Sequence, residues 1–204
     1  MIGAILCGGE NTRIPVLKGF LKVEGRTIIR RSIAVLGGVF ERVVISTNTP
    51  ERYFSFGLPM IGDISRERGP MTGIWSVLAA TGEEAVFVVA CDMPFVSGEL
   101  VRYMVKEHTA GSTEQRYDAV VPVFGGRKQP LFGIYSKGVT DTIEAMILKG
   151  ERSLTGMLTG LRVKYVGEDE VRALDPVGDS FVNINTMGDY EEVITRFQAP
   201  AAKG

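Results

Sequence analysis

Short apolar runs alternate with stretches of helical period along most of the chain. Ile2–Leu6 is a candidate strand that stops at Cys7-Gly8-Gly9. Residues 27–36 carry Ile28, Ile29, Ile33 and Leu36 on one side and predict a helix. Strands are expected at 43–45 and 58–61, a helix at 71–80, and a fully buried strand at Ala85–Ala90. Ser97 is placed to cap a helix through Leu100, Val101, Met104 and Val105. Strands at Ala119–Phe124 and 131–135 flank a Gly125-Gly126 turn. Helices follow at 139–148 and 153–158, then strands at Val163–Val166 and 181–184, and a closing helix at 188–197.

Continuously apolar strands separated by helices read as a parallel sheet covered on both faces. The fold class is therefore α/β: one domain over 1–197, built as a three-layer α/β/α sandwich with a mostly parallel sheet. The tail 198–204 is expected to fray. At 204 residues the chain is long enough for one self-sufficient core. Trp75 and Met71 are expected in that core, and His108 at a solvated helix end.

A net charge of -1 argues against nucleic-acid binding through a broad basic face. No apolar stretch approaches the roughly 20 residues of a membrane span, and no secretory segment is legible, so the expected setting is cytoplasmic. Two cysteines, Cys7 and Cys91, do not make a disulfide framework, and a single histidine excludes a multi-histidine metal site. Small buried residues are the expectation for both cysteines.

In open α/β sheets, ligands bind outside the carboxyl ends of the strands. Four strand-ending loops are rich in polar residues: CGGENTRIPVLK, STN, GDISRERGP and CDMP. In the first, glycines let backbone N–H groups approach an anion, and Arg13 and Lys18 add positive charge, which suits a polyphosphate. An ordinary loop with two solvated cations is the alternative. Neither GxGxxG nor GK[ST] is present, which argues against dinucleotide-binding and P-loop readings. Asp92, directly after a buried strand, is placed to hold Mg²⁺ with phosphate oxygens, or else to cap the Pro94 turn. Asp63 and Asn48 suit contacts to a ribose and a base edge, or simple turn roles. Asn183 and Asn185 flank Ile184 and would share one face of a strand.

Together these loops resemble one superfamily. LCGG…R…K, then VVISTN, Asp63…GPMTGI, CDMPF, QPLFGIYS and NINTMGDYE follow the order and approximate spacing of MobA-like nucleotidyltransferases. Within that superfamily they are most similar to the molybdenum cofactor guanylyltransferases. The resemblance implies a Rossmann-like sandwich of the nucleotide-diphospho-sugar transferase type, GTP and molybdopterin or molybdenum cofactor as substrates, and Mg²⁺ as cofactor. It implies contacts with other cofactor-biosynthesis proteins or the acceptor apo-enzyme, and none with nucleic acid or membrane. Leu6, Cys7, Gly8 and Gly9 would hold the nucleotide through backbone groups, with Asn48 and Asp63 on the nucleoside. Lys18 and Arg13 would neutralise phosphate, Asp92 would carry the metal, and Gln129, Asn183 and Asn185 would lie towards the acceptor. CTP, another phosphorylated acceptor, or nucleotide binding without turnover are the alternatives. The chain departs from the pattern at Cys7, which stands for an alanine, at Ile14-Pro15, which stand for Met-Gly, and at Leu17, which stands for an acid.

Overall fold

A computed structural model describes residues 1–8, 17–110 and 116–198. Gly9 and Arg13 lie outside the described residues, as does the tail beyond 198. The chain opens with β1 (Ile2–Leu6), a short hairpin of β2 (Lys22–Val23) and β3 (Arg26–Thr27), and α1 (Ile28–Gly37). β4 (Val43–Ser46), β5 (Met60–Ile61), α2 (Pro70–Thr81), β6 (Ala85–Ala90) and α3 (Gly98–Thr109) follow. The second half contains β7 (Ala119–Phe124), β8 (Arg127–Lys128), β9 (Phe132–Ser136), α4 (Thr140–Leu148), α5 (Leu154–Met157), β10 (Val163–Val166), α6 (Glu168–Arg172) and α7 (Met187–Gln198).

The main sheet runs β10-β7-β9-β6-β1-β4-β5, with β8 paired to β7. β1 is parallel to both β4 and β6, whereas β9 is antiparallel to β6 and β7. Alternate residues of the central strands feed opposite faces. Ile5, Phe87 and Val89 pack with Ile29 and Leu36 of α1 and Leu100 and Met104 of α3. Ala4, Leu6, Val86 and Val88 pack with Ile74 and Leu78 of α2 and Ile143 of α4. Burial on both faces explains why these strands read as unbroken apolar runs. The three-layer α/β/α sandwich of the sequence reading is the fold observed.

The chain passes outward from β1 through β4 and β5, then returns to β6 on the other side of β1. The carboxyl ends of β1 and β6 therefore border the point where the strand order reverses. Cys91 N–H donates to Leu6 O at 3.1 Å, so the two strand ends remain tied as they leave the sheet.

Several expectations are corrected. The strand at 58–61 shortens to Met60–Ile61; Ile45 N–H reaches Pro59 O at 3.0 Å, but proline has no N–H to continue the ladder. Residues 181–184 form no strand. A 3₁₀ turn at Asp179–Phe181 leads into extended chain held at the sheet's edge by Ile184 N–H to Asp92 O, 3.0 Å. His108 is half-buried and sits 2.9 Å from Ser136 Oγ through Nε2. Because that hydroxyl already donates to Tyr117 O at 2.7 Å, His108 is the donor, and burial lowers its pKa. Met71 is buried as expected, whereas Trp75 is half-buried against the α2–α4 side of the core. The β2–β3 hairpin and α6 have no counterpart in the sequence reading.

Candidate active site

The described chain resumes at Leu17 and turns through a 3₁₀ segment, Lys18–Phe20. Gly19 is buried there; a Cβ on it would lie 3.5 Å from Cys91 O and 3.6 Å from both Cys91 Cβ and Ile29 Cβ. This close seating delivers Lys18 to the end of β6. Its ammonium donates to Asp92 Oδ2 at 3.0 Å and to Asn185 Oδ1 at 2.7 Å. Asp92 is only 17% exposed at its side chain and Lys18 21%, so the pair is partly shielded from water. The other carboxylate oxygen, Asp92 Oδ1, is buried and has no hydrogen-bond partner among the described residues. An orphaned anionic oxygen at this depth is costly unless a cation or donor completes it.

That oxygen fits a hard divalent cation, which takes one or two carboxylates and fills its remaining positions with phosphate oxygens and water. Among the described residues no cluster of three acidic, histidine or cysteine side chains forms a complete protein cage. Asp92 is thus the described residue suited to bring a metal together with a phosphorylated ligand.

Along the β1 end, Leu6 is buried and Cys7 N–H is engaged by Ser46 O at 2.8 Å. Gly8 is exposed with open space around its Cα, leaving its backbone accessible to a ligand. Cys7 and Cys91 are free thiols on neighbouring strand ends. Burial, first of all, pushes the Cys7 thiol pKa well up, followed by its contact with Cys91, which keeps it protonated and unreactive.

At the β4 and β5 ends, Asn48 and Asp63 bond each other reciprocally. Asn48 Nδ2 donates to Asp63 Oδ2 at 2.6 Å, and Asp63 N–H donates to Asn48 Oδ1 at 2.8 Å. The GPMTGI stretch behind them has a steric explanation. Gly69 has φ 151°, which favours glycine, Pro70 begins α2, and a Cβ on Gly73 would come 3.1 Å from Ser46 Oγ and 3.4 Å from Leu6 Cδ2. α2 can therefore lie close against β1 and β4.

Gln129, half-buried, begins the turn into β9. Because β9 runs antiparallel to β6, that turn lies at the same edge as Asp92, where Leu131 O accepts from Ala90 N–H at 3.1 Å. The two asparagines diverge rather than sharing a face. Asn183 Nδ2 donates to Phe181 O at 2.9 Å, while Asn185 turns to Lys18. Asp189 was absent from the sequence reading: its Oδ2 accepts from Asn185 N–H and Thr186 N–H, each at 2.8 Å. The T-x-x-D spacing of a helix cap in Thr186 and Asp189 was the available signal.

A shielded lysine–aspartate pair at the switch point of an open α/β sheet, with exposed glycine backbone beside it, is the equipment of a nucleotidyltransferase. The chain belongs to the MobA-like NTP transferase family, whose domain model matches residues 3–164. It is 37% identical over 187 residues to a probable molybdenum cofactor guanylyltransferase of Pelotomaculum thermopropionicum, covering 92% of this chain and 88% of that one. To the molybdenum cofactor guanylyltransferase of Desulfosudis oleivorans it is 32% identical over 198 residues, covering 97% and 96%. The crystal structure of molybdopterin-guanine dinucleotide biosynthesis protein A from Archaeoglobus fulgidus superposes with a TM-score of 0.82 at 26% identity, covering 98% of this chain and all of that one.

Proposed function

We propose that the protein transfers the GMP moiety of GTP to the terminal phosphate of molybdopterin, with Mg²⁺ as cofactor and pyrophosphate as the leaving group. The observation that carries this reading is the Lys18–Asp92 pair, with the orphaned Asp92 Oδ1 beside it. The names of relatives covering nearly the whole chain supply the base and the acceptor.

In the reaction an oxygen of the acceptor phosphate bonds to the α-phosphorus. The bond from that phosphorus to the bridging oxygen breaks, and pyrophosphate leaves with the electron pair. The acceptor phosphate is already ionised near neutral pH, so no protein base is needed. What the protein supplies is position and charge. Asp92 would hold the metal, which would offset the charge of the phosphates in the transition state. Lys18, oriented by Asn185, presents its ammonium to the same oxygens. The Gly8 backbone, together with Gly9 and Arg13, would cradle the triphosphate, and Asn48 with Asp63 would receive the nucleoside. Gln129, and more weakly Asn183, would face the acceptor. Among the described residues no helix is long and apolar enough to cross a membrane. With two free thiols and a nucleoside triphosphate substrate, that supports a cytoplasmic setting.

The test is nucleotide-dependent pyrophosphate release with molybdopterin and Mg²⁺. Release with GTP and formation of a guanine dinucleotide support the reading. Preference for CTP, or binding without release, contradicts it.

A further inference from the structure

The first turn of α7 is fastened more firmly to the site than a helix end requires. Asp189 Oδ2 holds the N–H groups of Asn185 and Thr186 at 2.8 Å each, and Asp189 N–H returns a bond to Thr186 Oγ1 at 3.1 Å. One residue on, Tyr190 Oη donates to Lys22 O at 2.8 Å, tying the same turn to the strand that follows the Lys18 loop. Ile184 N–H binds Asp92 O at 3.0 Å from the other side. Asn185 is thus held on both flanks, with its side-chain oxygen 2.7 Å from Lys18 Nζ.

We propose that Asp189 is a positioning residue: through the Asn185 backbone it aims the Asn185 amide oxygen and so holds the Lys18 ammonium beside Asp92. The chain Asp189–Asn185–Lys18–Asp92 is unbroken, each link being a hydrogen bond of 2.7–3.0 Å. Lysine has a long flexible stem, and one carboxylate on one side does not determine its direction. A second acceptor, itself immobilised, does. The backbone N–H groups of Asn185 and Thr186, and after them the nearby Lys18 charge, hold the Asp189 pKa below the usual carboxylate range, so the anchor is ionised at neutral pH. The ordinary role of such an aspartate is to cap a helix, and that role alone would leave Lys18 indifferent to its loss.

The contribution to turnover rests on the transfer reaction proposed above; the positioning itself does not, and is tested without nucleotide. Lys18 acylation by an amine-selective reagent is read by mass spectrometry against exposed Lys149 in wild type, D189A, N185A, the double variant, D189N and T186A. Loss of a hydrogen bond to a charged group predicts about tenfold faster Lys18 labelling in D189A and N185A, with no further gain in the double variant. D189N keeps an acceptor oxygen and stays near wild type. T186A weakens the cap but leaves the Asp189–Asn185 bond, so its Tm falls while labelling does not change. Should D189A fail to fold, D189S, whose shorter hydroxyl cannot span both N–H groups, is read in its place. In active enzyme D189A, N185A and the double variant each lower kcat by about tenfold with the KM for nucleotide held, whereas D189N and T186A stay near wild type. Wild-type labelling in D189A, equal labelling in T186A and D189A, or multiplied effects in the double variant would overturn the proposal.

Discussion

Lys18 Nζ stands 3.0 Å from Asp92 Oδ2 although 74 residues separate them, because the ends of β1 and β6 are neighbours at the strand-order reversal. The pairing leaves one carboxylate oxygen buried and without a hydrogen-bond partner among the described residues, and sets a cation beside the same carboxylate. Both features suit the anionic, metal-bound ligand of the proposed reaction.

Replacing Asp92 with Ala is expected to lower Mg²⁺-dependent turnover by at least about a hundredfold, the scale on which preorganised charge stabilisation acts. Affinity for GTP without metal should be unchanged or tighter, since a carboxylate near the phosphates is removed. Steady-state kinetics beside calorimetry of metal-free binding separates the two effects.

Asn48→Ala should raise the KM for nucleotide by about tenfold while leaving kcat nearly intact, because the change would remove the proposed ground-state contact and loosen Asp63. Measuring the same ratio for a second nucleotide tells whether this pair reads the base.

Gly178 has φ 72°, and a Cβ there would lie 2.2 Å from Phe124 Cε1. Phe124 packs against Phe181 with the rings tilted and 5.4 Å between centroids, just before the Asn183–Asn185 segment. Gly178→Ala is expected to cost about 2–4 kcal/mol of stability from left-handed strain plus overpacking. Urea unfolding reads the loss, and a smaller loss of Tm with wild-type kinetics would show that the ring moves aside.

Asp189 also predicts a pH signature. Its folded pKa lies below the unfolded value near ~3.9, so its contribution is fully present above about pH 4 and is lost as pH falls through the folded pKa. The stability difference between wild type and D189N should therefore be constant near neutrality and shrink in acid. Denaturation at several pH values checks it.

Most of the fold was legible because the central strands are buried on both faces and announce themselves as apolar runs. The short β2–β3 hairpin lacks that signature: of its four residues, only Val23 is buried. Residues 181–184 misled because Phe181, Val182 and Ile184 are apolar for another reason. They pack against Phe124 of β7, Phe132 of β9 and the small cluster under α7, but pair with no strand among the described residues. The strand-end positions of Asp92, Asn48 and Asp63 were readable from where the apolar runs stop. That Asn48 and Asp63 bond each other, that Asn185 reaches Lys18 while Asn183 turns away, and that Asp189 fastens Asn185 were not. Those relations depend on tertiary distances that spacing in one chain does not encode.

The most direct measurement is label transfer from α-³²P-GTP to molybdopterin in the presence of Mg²⁺, with pyrophosphate counted in the same reaction. Label is expected in a guanine dinucleotide product, with one pyrophosphate per product and loss of both in the Asp92→Ala enzyme. Bound GTP with no label transferred, or transfer undiminished by Asp92→Ala, would contradict it.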